Sequence, residues 1–382
     1  MPGPAPSRPD PLALTSGAFV AAARGAGSRP DLALDAYRRA YREGRTDLPD
    51  AHIALPPIAR EQSEEGPEGV TTKFVSRLDA GDTPVSANTP HLDIESVVIP
   101  MVGKSGRRTH TLCVSSQVGC AMGCGFCETA QMGLIRSLST SEIVAQWFAA
   151  RHALRGARGI EVSNIVFMGM GEPLDNFDNV ARAIEVLTDP NGAALAPSKI
   201  TISTVGRIDG LERLGTLVAR PGFHRLGLAI SINAPRDEVR SRIMPINRAM
   251  PMGALRDALL AFPHTGKRKI CFEYVLIPGV NDAPADAADL AEWLRPFGAI
   301  GDTGESRTPL ALLNVIPYNP RRDSSWPAPT EESVADFMAR LRELGVYAKR
   351  RRTKGRTLMG ACGQLGAAEI RKRRYVGVSI SA

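Results

Sequence analysis

Aromatic side chains are scarce in this chain of 382 residues, where Phe, Trp and Tyr together make up 5%. A sizeable core must then be built from Val, Ile, Leu and Ala, which the 43% hydrophobic content can supply. Long apolar runs are also missing. No stretch is long or apolar enough to span a bilayer, so no membrane association is expected. The start of the chain lacks the basic lead of a secretory signal: its only early basic residue is Arg8, and Thr15, Ser16 and Gly17 interrupt the apolar stretch. A flexible Pro/Ala-rich leader is the reading of residues 1–30, with a signal peptide the lesser alternative. Cysteine is limited to Cys113, Cys120, Cys124, Cys127, Cys271 and Cys362, three of them within eight residues. That crowding is poor for a disulfide framework and good for a metal site in a reducing, cytoplasmic setting. No internal repeat of fixed period stands out.

What the chain does carry is positive charge, a formal net +7. Clustered Lys and Arg neutralise phosphates and release counterions, so a polyanionic partner fits, although a merely basic surface fits too. The basic residues gather late, as Lys349, Arg350, Arg351, Arg352, Lys354 and Arg356, then Arg371, Lys372, Arg373 and Arg374. Such runs are as often a solvated face as a binding site.

Four regions follow from the patterning. Residues 1–70 form a Pro/Ala-rich extension with one or two helices, the clearest over Asp31 to Arg42. Residues 71–109 read as short strands, Thr72–Leu78 and Ile94–Pro100. Residues 110–348 repeat strand, turn and helix. Strands are expected at His110–Ser116, Ser163–Met168, Lys199–Val205, Leu226–Ile232, Lys269–Ile277 and Leu310–Ile316. Ser139 and Glu142 have capping-box spacing and open a helix to about Leu154. Other helices are expected at Asn179–Leu187, Gly210–Ala219, Met252–Ala261, Ala285–Leu294 and Glu331–Leu344. Residues 349–382 are the basic tail. Alternating β/α units predict a parallel sheet with right-handed crossovers. An α/β partial, open barrel is favoured over a doubly wound sheet, because polar and Gly-rich residues sit at successive strand ends.

The segment Cys120-Ala-Met-Gly-Cys124-Gly-Phe-Cys127 lies between a strand and a helix, and its glycines let the backbone fold tightly. Three thiolates suit iron–sulfur or zinc. A structural zinc site wants a fourth ligand at paired spacing, and none follows nearby. Three ligands on a four-iron cube leave one iron open for the amino and carboxylate groups of S-adenosylmethionine. Cys-x₃-Cys-x₂-Cys is the pattern of the radical S-adenosylmethionine superfamily.

More specifically, the chain resembles the RlmN/Cfr family of RNA adenine methyltransferases from about Thr71 to Leu365. The densest stretches are Leu112 through Cys127, Asn164 to Pro173 with its Gly169-Met-Gly-Glu-Pro173, Ile200 to Thr204, Ala229 to Pro235, Pro317 to Pro320 and Gly360 to Leu365. The resemblance implies a β6/α6 TIM-like open barrel holding one [4Fe–4S] cluster on Cys120, Cys124 and Cys127. It implies that Gly171, Glu172, Ser203, Ser231, Ile232, Asn233 and Asn319 bind the cofactor. It implies that Cys362 is methylated first, that Cys113 later forms a transient disulfide with it, and that Glu95 takes the proton from the base. Read alone, Cys362 is a small buried residue beside a basic run that lowers a thiol's pKa. Cys271, between Ile270 and Phe272, reads as core.

The implied reaction is methylation of C2 of an adenine in 23S rRNA, with tRNA as a further candidate substrate, and two S-adenosylmethionine molecules per turnover. A flavodoxin or ferredoxin would supply electrons, and the enzyme would be a cytoplasmic monomer. Asn233 stands where members commonly carry His, and Glu128 where a small residue is usual. Methylation at C8, a paralogue with another RNA or a small metabolite as substrate, and an RNA-binding protein with a structural metal site remain the alternatives.

Overall fold

The computed structural model describes residues 8–80, 91–103, 105–154, 160–263, 270–298 and 311–366. Two helices come first, α1 (Ser16–Gly25) and α2 (Pro30–Glu43). Pro30 in the first turn and a left-handed Gly44 delimit α2. Phe19 and Ala23 of α1 are fully buried, and the Phe19 ring meets that of Tyr37 at 5.5 Å. The expected flexible leader is thus, over residues 16–25, a packed helix whose small side chains let it lie close to α2.

An antiparallel meander follows: β1 (Ile58–Gly66), β2 (Gly69–Leu78), β3 (Leu92–Val102) and β4 (Arg108–Cys113). A separate two-stranded sheet, β5 (Gln117–Gly119) and β6 (Leu134–Ser137), brackets the cysteine loop and the short helix α3 (Glu128–Gln131). The main sheet then continues in parallel from β4 to β7 (Val162–Phe167), β8 (Ile200–Thr204), β9 (Gly227–Ser231), β10 (Ile270–Leu276), β11 (Ala311–Pro317) and β12 (Ala348–Arg350). Its edges are β1 and β12, so this is an open barrel, not a closed one. The expected β-rich segment before residue 110 is continuous with the barrel sheet.

The crossover helices are α4 (Thr140–Phe148), α5 (Phe177–Thr188), α6 (Ile208–Ala219), α7 (Asp237–Ile243), α8 (Met252–Ala261), α9 (Pro284–Leu294) and α10 (Glu331–Glu343). Both halves of the capping box at Ser139 and Glu142 form, at 3.2 and 2.9 Å. Past Phe148 the helix widens into one π turn over Ala149–Ala153. Alternate strand residues such as Ile200, Ile202, Leu228 and Ile230 are buried, which is why each strand appears in the sequence as a short apolar run. The carboxyl ends of the parallel strands collect the Gly-, Ser- and Asn-bearing turns on one rim. No helix among the described residues is long and apolar enough to cross a membrane. The run Arg371 to Arg374 lies outside the described residues.

Candidate active site

A cavity of about 930 Å³, open mouth included, sits on that rim, and Cys120, Cys124, Cys127, Gly171, Glu172, Ser203, Ser231, Asn319 and Cys362 all line it. The cysteine loop rests on its neighbours through Gly125 N–H to Ile243 O at 2.9 Å and Cys127 N–H to Cys124 O at 3.1 Å. Burial pushes the pKa of all three thiols up, most for Cys120 and Cys124, where a neighbouring cysteine adds to the effect. For Cys127, N–H groups at the start of α3 partly offset it. Buried thiols of this kind ionise when a metal takes the proton's place. Among the described residues no three His, Cys, Asp or Glu side chains converge as ligands of a single ion. A cube binds each thiolate through a separate iron, so its ligands surround a volume and not a point. The all-sulfur donor set on one cavity wall fits such a cluster.

The opposite wall depends on two glycines. A Cβ on Gly169 would meet Val114 O at 2.6 Å, and one on Gly171 would meet the Gln117 side chain at 2.6 Å, with φ already at +99°. Their absence of side chains lets β7 turn tightly into the cavity. Glu172 follows, 2% exposed. Its carboxylate accepts from Leu174 N–H at 3.1 Å and Val205 N–H at 3.0 Å, tying the ends of β7 and β8 together. Burial still outweighs those bonds and raises its pKa to about 7. A cationic amino group would relieve that penalty.

Ser203 donates to Glu273 at 3.0 Å, and Ser231 lies opposite Glu273 in the β9–β10 register. Ile232 and Asn233 are fully buried behind the cavity wall. Asn233 adopts φ +56°, a conformation its short amide tolerates. Its Oδ1 accepts from Val275 N–H at 2.8 Å and its Nδ2 lies 3.1 Å from Met244 Sδ, so it fixes the end of β9. Asn319 accepts from Arg356 at 3.2 Å and donates to Cys362 O at 3.4 Å.

Cys362 rides on a strap, residues 355–366, that closes over the cavity. Glu128 N–H donates to Gly363 O at 2.7 Å and the Thr129 hydroxyl to Leu365 O at 2.6 Å, so the strap is stitched to α3. Glu128 also accepts from Arg322 N–H at 2.9 Å, which gives this unusual residue a structural use. Cys362 is exposed at its outer surface, yet atoms crowd its thiol. Desolvation pushes its pKa up; Arg351 pulls the other way and loses. The basic run therefore does not make this thiol acidic, contrary to the sequence reading.

Cys113 ends β4 in the core beside the cavity, and burial raises its pKa strongly. All six cysteines are free thiols. This corrects the expectation of a disulfide between Cys113 and Cys362: the two sulfurs are unbonded, with Cys113 enclosed at the end of β4 and Cys362 exposed on the strap. Glu95 lies opposite Val75 in the β2–β3 register. It is buried within β3, and its carboxylate pairs with Lys73 at 2.7 Å.

Three residues escaped the sequence reading. Lys73 looked like an ordinary strand lysine. Glu273 was hidden between Phe272 and Tyr274, but lines the cavity with a carboxyl whose pKa burial raises. Arg240 sat in the charged stretch Arg236 to Arg242, which reads as solvated. It is instead 1% exposed and donates to Ile232 O, Ser231 O, Val205 O and Asn247 Oδ1 at 2.6–3.0 Å. Cys271 is half-buried and outside the core it was expected to join, its sulfur 3.0 Å from Asn314 Nδ2.

Comparison with known proteins agrees with this geometry. Residues 114–291 match the radical SAM superfamily. A probable dual-specificity RNA methyltransferase RlmN 1 of Protochlamydia amoebophila is 41% identical, over 74% of this chain and 72% of its own. A dual-specificity RNA methyltransferase RlmN of Syntrophotalea carbinolica is 42% identical, over 81% and 72%. A solved radical SAM methyltransferase from Sphaerobacter thermophilus superposes with a TM-score of 0.76 at 32% identity, over 94% of this chain and 99% of that one. At 41–42% identity over 74–81% of its length to these relatives, the protein belongs to the RlmN family of radical S-adenosylmethionine RNA methyltransferases.

Proposed function

We propose that the protein methylates C2 of an adenine in 23S rRNA, and also in tRNA, by way of a methyl group carried on Cys362. One observation carries the reading: Cys362 faces the same cavity as Cys120, Cys124 and Cys127. When bound, a [4Fe–4S] cluster and two S-adenosylmethionine molecules per turnover supply a methyl group and a radical, the chemistry that an electron-poor ring carbon requires.

The chain's own residues do the rest. Cys120, Cys124 and Cys127 would hold the cluster. Glu172 would take the cofactor's amino group, while Ser203, Ser231 and Asn319 line the remaining wall. Gly171 keeps that wall open, and Ile232 and Asn233 act from behind it. Cys362 presents its sulfur from the strap and gives up its proton as the methyl group arrives. Cys113, buried at the end of β4 and paired with the strand that carries Glu95, is assigned as the second catalytic thiol. Glu95 receives the proton leaving the base carbon. The dual specificity named for the relatives favours both RNA substrates. A flavodoxin or ferredoxin is the natural electron donor, a monomer the working state, and the cytoplasm the place where RNA and reductant meet.

The test is mass spectrometry of rRNA and tRNA nucleosides from cells with and without the gene. Loss of 2-methyladenosine from both pools is the expected result. Loss of 8-methyladenosine instead, or no change in any methyladenosine, would refute the assignment.

A further inference from the structure

Lys73 lies in β2 within the buried run Thr71 to Ser76, and its side chain is 4% exposed. An ammonium group so placed must be fully paired to remain charged. It is: Lys73 Nζ lies 2.7 Å from Glu95 Oε1, 3.3 Å from Leu358 O and 3.1 Å from Met359 O. Three donors thus meet three acceptors. The β2–β3 register pairs Val75 with Glu95 and Lys73 with Val97, so Lys73 and Glu95 are diagonal neighbours on one face of the sheet. The second oxygen of Glu95 accepts from Gly366 N–H at 2.8 Å.

These contacts bracket Cys362. Lys73 holds the carbonyls of Leu358 and Met359 on one side, and Glu95 holds the amide of Gly366 on the other. Gly360 lies directly over the lysine stem, where an added Cβ would come 3.6 Å from Lys73 Cδ. We infer that Lys73 is the positioning residue of the reaction, orienting Glu95 and anchoring the strap that carries Cys362 through one buried ion pair. This rests on the functional reading above, which makes Glu95 the proton acceptor and Cys362 the methyl carrier. Without Lys73 the buried carboxylate loses its countercharge, and the strap loses two of its anchors.

The experiment compares the wild-type full chain, Lys73→Met, Lys73→Arg and Glu95→Gln. Hydrogen exchange is followed in peptides from the strap and from β8–β10, and kcat and KM for RNA methylation are measured on the reconstituted enzyme. Lys73→Met should speed exchange in the strap about ten- to a hundredfold, leave β8–β10 protected, and lower kcat far more than it raises KM. Lys73→Arg keeps the charge and should restore part of both. Glu95→Gln should abolish turnover with a smaller gain in strap exchange, because a neutral acceptor remains. Unchanged strap exchange in Lys73→Met overturns the inference. So does equal loss of protection in β8–β10, which would make Lys73 a plain structural residue. If Lys73→Met frees the strap but the wild-type protein methylates no RNA, it is the functional reading that has failed, and the anchor stands.

Discussion

Replacing Glu172 by glutamine removes a charge while keeping the shape. In the folded chain without cofactor, burial lifts this carboxyl from an ordinary 4.5 to about 7. A carboxyl with a raised folded pKa holds its proton more tightly when folded. Its stabilising effect is therefore complete below pH 4.5 and is lost as pH rises from there to 7. Linkage gives a penalty of about 0.8 kcal/mol at pH 5 and about 3.3 kcal/mol at pH 8. The glutamine variant carries no such penalty. Its side chain has one carbonyl oxygen, however, where the carboxylate accepted from both Leu174 and Val205, so one buried N–H loses its partner at a pH-independent cost of about 1–3 kcal/mol. The variant should be the less stable protein at pH 5 and gain about 2.5 kcal/mol on wild type by pH 8. Urea denaturation of both cluster-free chains at the two pH values reads this difference, and titrations elsewhere cancel in the comparison. A gap that stays constant with pH would refute the idea that Glu172 is a desolvated acid.

Gly169→Ala should lower the melting temperature and iron loading together, since its Cβ would sit 2.6 Å from a backbone oxygen; overpacking of this kind costs about 1–3 kcal/mol. Arg240→Met should destabilise the fold by about 1–3 kcal/mol in chemical denaturation, because carbonyls at the ends of β8 and β9 lose their buried donor. Cys362→Ala should keep the brown iron–sulfur colour and lose all RNA methylation, whereas any one of Cys120→Ala, Cys124→Ala and Cys127→Ala should lose both, as absorbance and nucleoside analysis will show. Cys271→Ala should retain activity in the same assay and lose only about 1 kcal/mol of stability, since the side chain is half-buried.

The parallel strands could be read from the sequence because both of their faces are covered. Ile200-Thr-Ile202 and Leu228-Ala-Ile230 are short apolar runs that stop at polar turns, and the turns are the site. Strand β1 could not be read in this way. Its sequence, Ile58 to Gly66, is mostly polar or charged, and its outward residues are exposed at the sheet edge. Helix α1 was missed because alanines leave little periodicity to see, and the packing that decides its state is with Tyr37. The cysteine loop announced itself through spacing alone. Lys73, Arg240 and Glu273 did not, because a buried charge and a surface charge have the same letter. Only the oxygen atoms brought to Arg240 from three separate turns reveal what it does.

Successive strands of the main sheet are neighbours in space, apart from the step over the small sheet that frames the cysteines. Most of the barrel can therefore assemble as it leaves the ribosome. The strap is the exception, since Lys73 meets Leu358 across 285 positions and Glu95 meets Gly366 across 271. A nascent chain thus carries its cysteine loop long before either anchor of the strap can form. On the proposed mechanism, a chain cut between Arg350 and Cys362 would keep every strand of the main sheet and have no sulfur to methylate.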